Sequence, residues 1–397
     1  MAMQAIDELF YLIHPRAQFV PLAKPAHKLP NWLRELRDTR RISGRYAQNE
    51  RFNLVPRGPL LRRDRDENAS NAESLLDRFT ALTPVPITLC IDTRKINIEH
   101  VVIGLGAIDG VVAGNKTGHE EVVFIPLAEK KADLVLSERM ISEQPYVDFR
   151  LNPTLNAANI IYEVLKNTGP VDIAFAPELL TKEEHADHLA TLLNAGPVLS
   201  RMIIAGSGQT RELSPDGQAW NEARILNGKG RELCRQRKLW PAGLAAPTAR
   251  GYGVACPDGK LAMEDNAEGD TVVIADLDGL GRCVVLICQD IQAQPMVENL
   301  IKLFQPDWVF IPVLDPGVQE GRWGHQRCFE LSGAANTRFM IASSTALADR
   351  LGKGPVACGL AIGPKAASAD GDQGRVCKEA EILAGTAPGY AKIEWRS

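Results

Sequence analysis

The 397-residue sequence has no apolar run that approaches the roughly 20 residues a helix needs to cross a bilayer. Val101 to Ala107 is broken by glycines and followed by Asp109. The start, Met1 to Phe19, lacks a basic stretch leading into a long hydrophobic one, because Asp7 and Glu8 precede any apolar segment. The eight cysteines include no CxxC pair and form no dense framework, which argues against a small disulfide scaffold and for reduced thiols. There is no internal repeat and no low-complexity tract. These absences predict a soluble, cytoplasmic protein with no membrane partner.

What is present is ordinary for a globular chain: 45% hydrophobic and 24% charged residues, enough to form a sizeable core. The length suits one large α/β domain with an extension. The net charge of −4 conceals an asymmetry. Residues 1–80 hold 14 Lys/Arg against 10 Asp/Glu, and the remainder hold 31 against 39. The basic excess is nearly all arginine, between Arg34 and Arg65. Helical patterns run over Ala5 to Ile13, Pro30 to Tyr46 and Ser70 to Leu82, the last with Ser70 as N-cap and Glu73 three residues on. A Pro/Gly loop is expected over Asn53 to Pro59.

From Pro86 the pattern changes to short β-branched runs at Ile87–Ile91, Val101–Leu105 and Val122–Leu127. Beyond about residue 120, apolar strands alternate with amphipathic helices, the signature of a layered α/β fold. Helices are expected at Asn156 to Asn167, Thr181 to Asn194 and Met296–Phe304. Strands are expected at Val171–Ala176, Val198–Gly206, Arg282–Ile287 and Trp308–Val313. The organisation predicted is an arginine-rich helical extension over 1–85, a connecting β-rich segment over 86–120, and the main domain over 121–397.

Three polar residues stand where apolar strands or their following loops end, the usual place for a site in an α/β fold. Glu178 closes Val171-Asp-Ile-Ala-Phe-Ala-Pro-Glu178, and taken alone reads as a solvated carboxylate at a helix start. Lys238, in Arg237-Lys238-Leu239 after a hairpin-like stretch containing Trp220-Asn221, taken alone reads as a surface charge. Cys288, in Ile287-Cys288-Gln289-Asp290, taken alone reads as a core thiol. Their order and separations, 60 and 50 residues, change that weighing.

At this point the chain resembles the nitrilase superfamily of carbon–nitrogen hydrolases. That family carries a strand ending in Pro-Glu, an Arg-Lys segment preceded by an Asn-containing strand, and a strand ending in Cys-x-Asp. The resemblance covers roughly residues 120–397. It continues through Trp323-Gly-His-Gln-Arg327, Ala334-Ala-Asn336-Thr, Gly359-Leu-Ala-Ile-Gly-Pro364 and a last strand Gly389–Trp395. It implies a four-layer α-β-β-α sandwich, with a catalytic triad of Glu178, Lys238 and Cys288. A second glutamate is implied ahead of a glycine; Glu264 fits best, with Glu268 as the fallback and an exposed acidic loop as the competing reading. Departures lie around the substrate: Gln289 follows the cysteine, Gln292-Ala-Gln-Pro295 lacks the arginine of the family's Arg-x-Pro, and Ala335 stands where relatives carry Glu.

The chemistry explains the residue types. A thiolate is the nucleophile, so Cys288 must lose its proton, and Glu178 would take it. Lys238 and the backbone N–H of Gln289 would stabilise the oxyanion. No cofactor and no metal is required. His185 and His188 lie three apart but lack further ligands, and read as a solvated helix face. The pairs Gly104-Leu-Gly106 and Gly206-Ser-Gly208 lack a full dinucleotide fingerprint.

The leading expectation is an amidase-like hydrolase acting on small-molecule amides through a Cys thioester, assembled as a homodimer or higher oligomer. Amide hydrolysis is preferred to nitrile hydrolysis because the family's Cys-Trp-Glu pattern of nitrilases is absent. The alternative is a scaffold or signalling module with repurposed catalysis, whose N-terminal arginines contact a protein or nucleic acid. A solvated face or an oligomer contact accounts better for those arginines, since acids are interspersed among them.

Overall fold

A computed structural model describes residues 47–48, 52–56, 82–103, 119–277, 280–365 and 374–395. The helices expected at Ala5 to Ile13 and Pro30 to Tyr46, and all but the last residue of Ser70 to Leu82, lie outside the described residues. Leu82 itself opens a strand, Leu82–Pro86. That strand pairs antiparallel with Phe52–Pro56, which in turn pairs with Ala47–Gln48. Phe52–Pro56 corrects the expected Pro/Gly loop: the run Phe-Asn-Leu-Val precedes Pro56 and satisfies its backbone by pairing.

Two large sheets form the centre of the fold. The six-stranded sheet runs in the order Glu232–Arg237, Ala219–Asn227, Ser200–Leu213, Val171–Phe175, Glu121–Phe124, Ala391–Glu394. The eight-stranded sheet runs Arg375–Ala380, Gly359–Pro364, Arg338–Ala342, Trp308–Pro312, Gly281–Val285, Thr271–Leu277, Arg94–Ile103, Thr88–Ile91. The last two of these strands come from the segment read as a connector, and Arg94–Ile103 pairs in parallel with Thr271–Leu277.

The period-2 alternation of the strands assigns the layers. Phe124, Ile173, Phe175 and Ile204 point at the eight-stranded sheet and join its core cluster. The Phe175 and Phe310 rings meet edge-on, 5.5 Å apart, between the sheets. The intervening residues Val123, Ala174 and Ile203 face helices Ala157–Thr168 and Glu183–Ala195, packing on Ile161, Val164 and Leu189. Each fully buried aliphatic side chain there stabilises the layer by about 1.5–3 kcal/mol. On the far side of the eight-stranded sheet lie Met296–Phe304, buried along Met296, Val297, Leu300, Ile301 and Phe304, and Trp323–Ser332. The order is helix, sheet, sheet, helix, the four-layer sandwich expected.

A fourth sheet, of four strands, completes the mouth of the site. In it Leu134–Ile141 and Gln144–Leu151 form a hairpin, and the second strand pairs in parallel with Leu261–Glu264. No helix among the described residues is long and apolar enough to cross a membrane.

Candidate active site

The expected residues converge at the ends of strands from three of the four sheets. Glu178 follows Val171–Phe175, Cys288 follows Gly281–Val285, Lys238 follows Glu232–Arg237, and Glu264 ends Leu261–Glu264. Each turn is held by backbone pairing. Glu178 donates its N–H to the Val313 carbonyl at 3.3 Å, tying one large sheet to the other. The Pro177 carbonyl accepts from Ser207 N–H at 3.2 Å. Gly206 beside it has φ +79°, and a Cβ there would lie 2.1 Å from that carbonyl oxygen, so both the conformation and the close approach require glycine.

Lys238 donates its backbone N–H to the Asn221 carbonyl at 2.8 Å across the hairpin, and its own carbonyl accepts from Gly269. The side chain is fully buried. Its Nζ lies 2.7 Å from Glu178 Oε1 and also pairs with Glu264 Oε2. Glu264 Oε2 accepts in addition from Ala242 N–H at 2.9 Å. Asn221 Nδ2 donates to Glu178 Oε1 at 3.0 Å, whereas Oε2 of Glu178 is buried with no hydrogen-bond partner among the described residues. The fallback residue, Glu268, is placed elsewhere: its carboxylate is exposed and pairs with Arg94.

Cys288 begins a short 3-10 turn, Cys288–Gln292, and has φ +53°, in the left-handed region that a residue with a Cβ seldom occupies. Asp290 holds this turn against the lysine segment. Both its carboxylate oxygens accept from Leu239 N–H at 3.1 Å, and Oδ2 accepts from Ile287 N–H at 3.2 Å. The Cys-x-Asp pattern thus carries a geometric clamp between the cysteine and the residue after the lysine.

Electrostatics follow from burial. Loss of water pushes Glu178 up to about 7, against the attraction of Lys238. Burial opposes the Lys238 ammonium, yet the carboxylates of Glu178 and Glu264 hold it well above the usual lysine range. Burial pushes the Cys288 thiol well up, Glu178 adds to this and Lys238 opposes it. The resting site therefore holds a thiol beside an ammonium and a carboxyl poised near neutrality. Burial raises Asp290 to about 7 as well.

Cys288 opens onto a cavity of about 480 Å³, with Glu264, Phe149, Tyr252 and Trp323 among its walls. Phe149 and Tyr252 meet edge-on at 5.9 Å. Asp315 accepts from Arg322 Nη2 at 2.6 Å and from Trp323 Nε1 at 2.9 Å, fixing one side of the cavity. Trp323 lies in a motif noted in the sequence, whereas Phe149, Tyr252, Asp315 and Arg322 come from separate segments that no motif marked. All eight cysteines are free thiols, with Cys90 exposed and Cys283 buried. No cluster of three metal-ligating side chains occurs among the described residues.

No family model matches the chain, and no curated protein matches it in sequence. Solved structures do resemble it. Saccharomyces cerevisiae Nit3, described as a member of branch 10 of the nitrilase superfamily, is 13% identical, with 72% of this chain and 93% of that one covered and a TM-score of 0.43. A glutamine-dependent NAD+ synthetase from Acinetobacter baumannii is 13% identical over 68% of this chain and 47% of that one, less than half its length, with a TM-score of 0.40. An amidase from Nesterenkonia sp. is 14% identical over 69% and 94%, with a TM-score of 0.37. Likenesses at this level leave the chemistry to be argued from the side chains.

Proposed function

We propose that this protein is a hydrolase of non-peptide carbon–nitrogen bonds, amidase-like, that works through a thioester on Cys288. The observation that carries the reading is the buried Lys238 ammonium shared by Glu178 and Glu264 behind a cysteine that opens onto a cavity. A lone buried lysine between two carboxylates is costly to assemble and is a poor stability device compared with apolar packing. Held beside a thiol, the same arrangement supplies a base, a cation and a nucleophile.

In the proposed cycle Glu178 removes the thiol proton as sulfur attacks the amide carbon. The carbonyl electron pair moves onto oxygen, where Lys238 and the Gln289 N–H stabilise it. Glu178 then returns the proton to nitrogen, the carbon–nitrogen bond breaks, and ammonia or an amine leaves. Water, deprotonated by Glu178, attacks the thioester and releases the acid and the thiol. Glu264 keeps the ammonium oriented, since its other contact, Ala242 N–H, fixes its own position. The cycle routes no step through a cofactor or metal. Substrates are small-molecule amides, and the protein acts as a cytoplasmic homodimer or higher oligomer.

The test is ammonia release from a panel of amides, carbamoyl compounds and nitriles. At least one amide is hydrolysed by the wild type and by no Cys288→Ala sample. Turnover that survives Cys288→Ala, or no turnover of any compound, defeats the proposal and leaves the scaffold reading standing.

A further inference from the structure

Two donors converge on a single oxygen of Glu178. Lys238 Nζ lies 2.7 Å from Oε1 and Asn221 Nδ2 lies 3.0 Å from the same atom. The other oxygen, Oε2, is equally shut off from solvent and accepts no hydrogen bond among the described residues. Asn221 is itself 1% exposed, and its Oδ1 has no hydrogen-bond partner among the described residues. A buried amide with its acceptor unpaired is unfavourable unless its donor is needed. The asparagine also shares a backbone link with the lysine, because its carbonyl accepts Lys238 N–H. One residue therefore fixes both the height of the lysine strand and the rotation of the carboxyl group.

We propose that Asn221 is a positioning residue that, with Lys238, saturates Oε1 of Glu178 and so reserves Oε2 as the oxygen that exchanges the proton with the Cys288 sulfur. When the S–H bond breaks, its proton forms the O–H bond at Oε2 and the sulfur pair is freed for attack. The same O–H later delivers that proton to the departing nitrogen. With Oε1 doubly occupied, the carboxyl group cannot turn its bonded oxygen toward the thiol without losing two donors. This assignment rests on the hydrolase reading, and a substrate-free measurement keeps the two separable.

The groups that face Glu178 are Lys238, Glu264, Cys288 and Asp290, so the variants chosen leave all four in place. Asn221→Ala removes the donor, and Asn221→Asp keeps the shape while presenting a carboxylate that cannot donate. Both retain the backbone link to Lys238. The readout is the rate of iodoacetamide alkylation at Cys288 against pH, followed by peptide mass spectrometry, with exposed Cys90 in the same sample as the reference. Losing a donor to the charged carboxyl raises its proton affinity. The acid limb of the profile should move up by about one pH unit, so that alkylation at pH values below the limb falls about 10-fold. A merely structural role would lower folding stability without moving that limb. If Asn221→Asp does not fold, Asn221→Ala decides the matter alone. Profiles of the variants that superimpose on the wild type overturn the proposal. The hydrolase reading fails separately, by absence of amide turnover in the wild type.

Discussion

Lys238 and Glu178 form a salt bridge of 2.7 Å with neither side chain accessible to solvent. Such a pair is stable only as a unit, and here the unit has a third member, Glu264, on the same ammonium. Removing the cation leaves two buried carboxylates facing each other.

Lys238→Met should therefore destabilise the fold by about 3–5 kcal/mol, the usual cost of stranding a buried charge. Adding Glu178→Gln to that variant should restore part of the loss, because one of the stranded charges is gone. Urea denaturation of the two variants and the wild type gives the comparison. A loss below about 1 kcal/mol for Lys238→Met would show that the pair is solvated in solution.

The pH dependence follows from Glu178, which burial pushes from 4.5 up to about 7. A carboxyl whose folded value lies above its unfolded one favours folding when protonated. Its contribution is complete below pH 4.5 and is lost as the pH rises through 7. Glu178→Gln, always neutral, should flatten the fall in stability between these limits, while Asp290 and Asp307, also raised to about 7, retain theirs. Thermal unfolding across that range checks the sign. A Glu178→Gln curve parallel to the wild type would mean that Glu178 titrates normally.

The backbone at Cys288 supplies another prediction. Its φ of +53° costs a residue with a Cβ about 1–2 kcal/mol relative to glycine. Cys288→Gly should accordingly be more stable than Cys288→Ala by about 1 kcal/mol, although glycine ordinarily weakens a fold. Equal stabilities would place this residue in an ordinary conformation in solution.

Much of this was legible in the sequence. The expected helix Met296–Phe304 has those limits, and Asn156 caps Ala157–Thr168 by accepting Asn159 N–H. Pro-Glu and Cys-x-Asp each sat at the end of an apolar run, and Arg-Lys followed a hairpin-like stretch containing Asn221, so the positions of Glu178, Lys238 and Cys288 followed from pattern. The hairpin Leu134–Leu151 did not. Its turn residues Ser142 and Glu143 both have positive φ, a conformation that normally announces itself with Asn or Gly. Its first strand is largely exposed, so no apolar alternation marked it. Arg94–Ile103 begins well before the expected Val101, because its charged residues alternate with the buried Ile96 and Ile98. Asn221 and Asp290 were visible as letters, but their roles depend on contacts 43 and 51 residues away in sequence.

The central claim is that Cys288 becomes covalently acylated during turnover. The direct measurement is rapid acid quenching of the wild-type protein with an amide that it hydrolyses, or with each amide of the panel in turn, followed by peptide mass spectrometry. The account predicts an added mass equal to the acyl group on the Cys288 peptide, none on the peptides of Cys283 or Cys90, and disappearance of the adduct as substrate is exhausted. Ammonia release with no adduct on Cys288, or an adduct on another cysteine that tracks turnover, would contradict it.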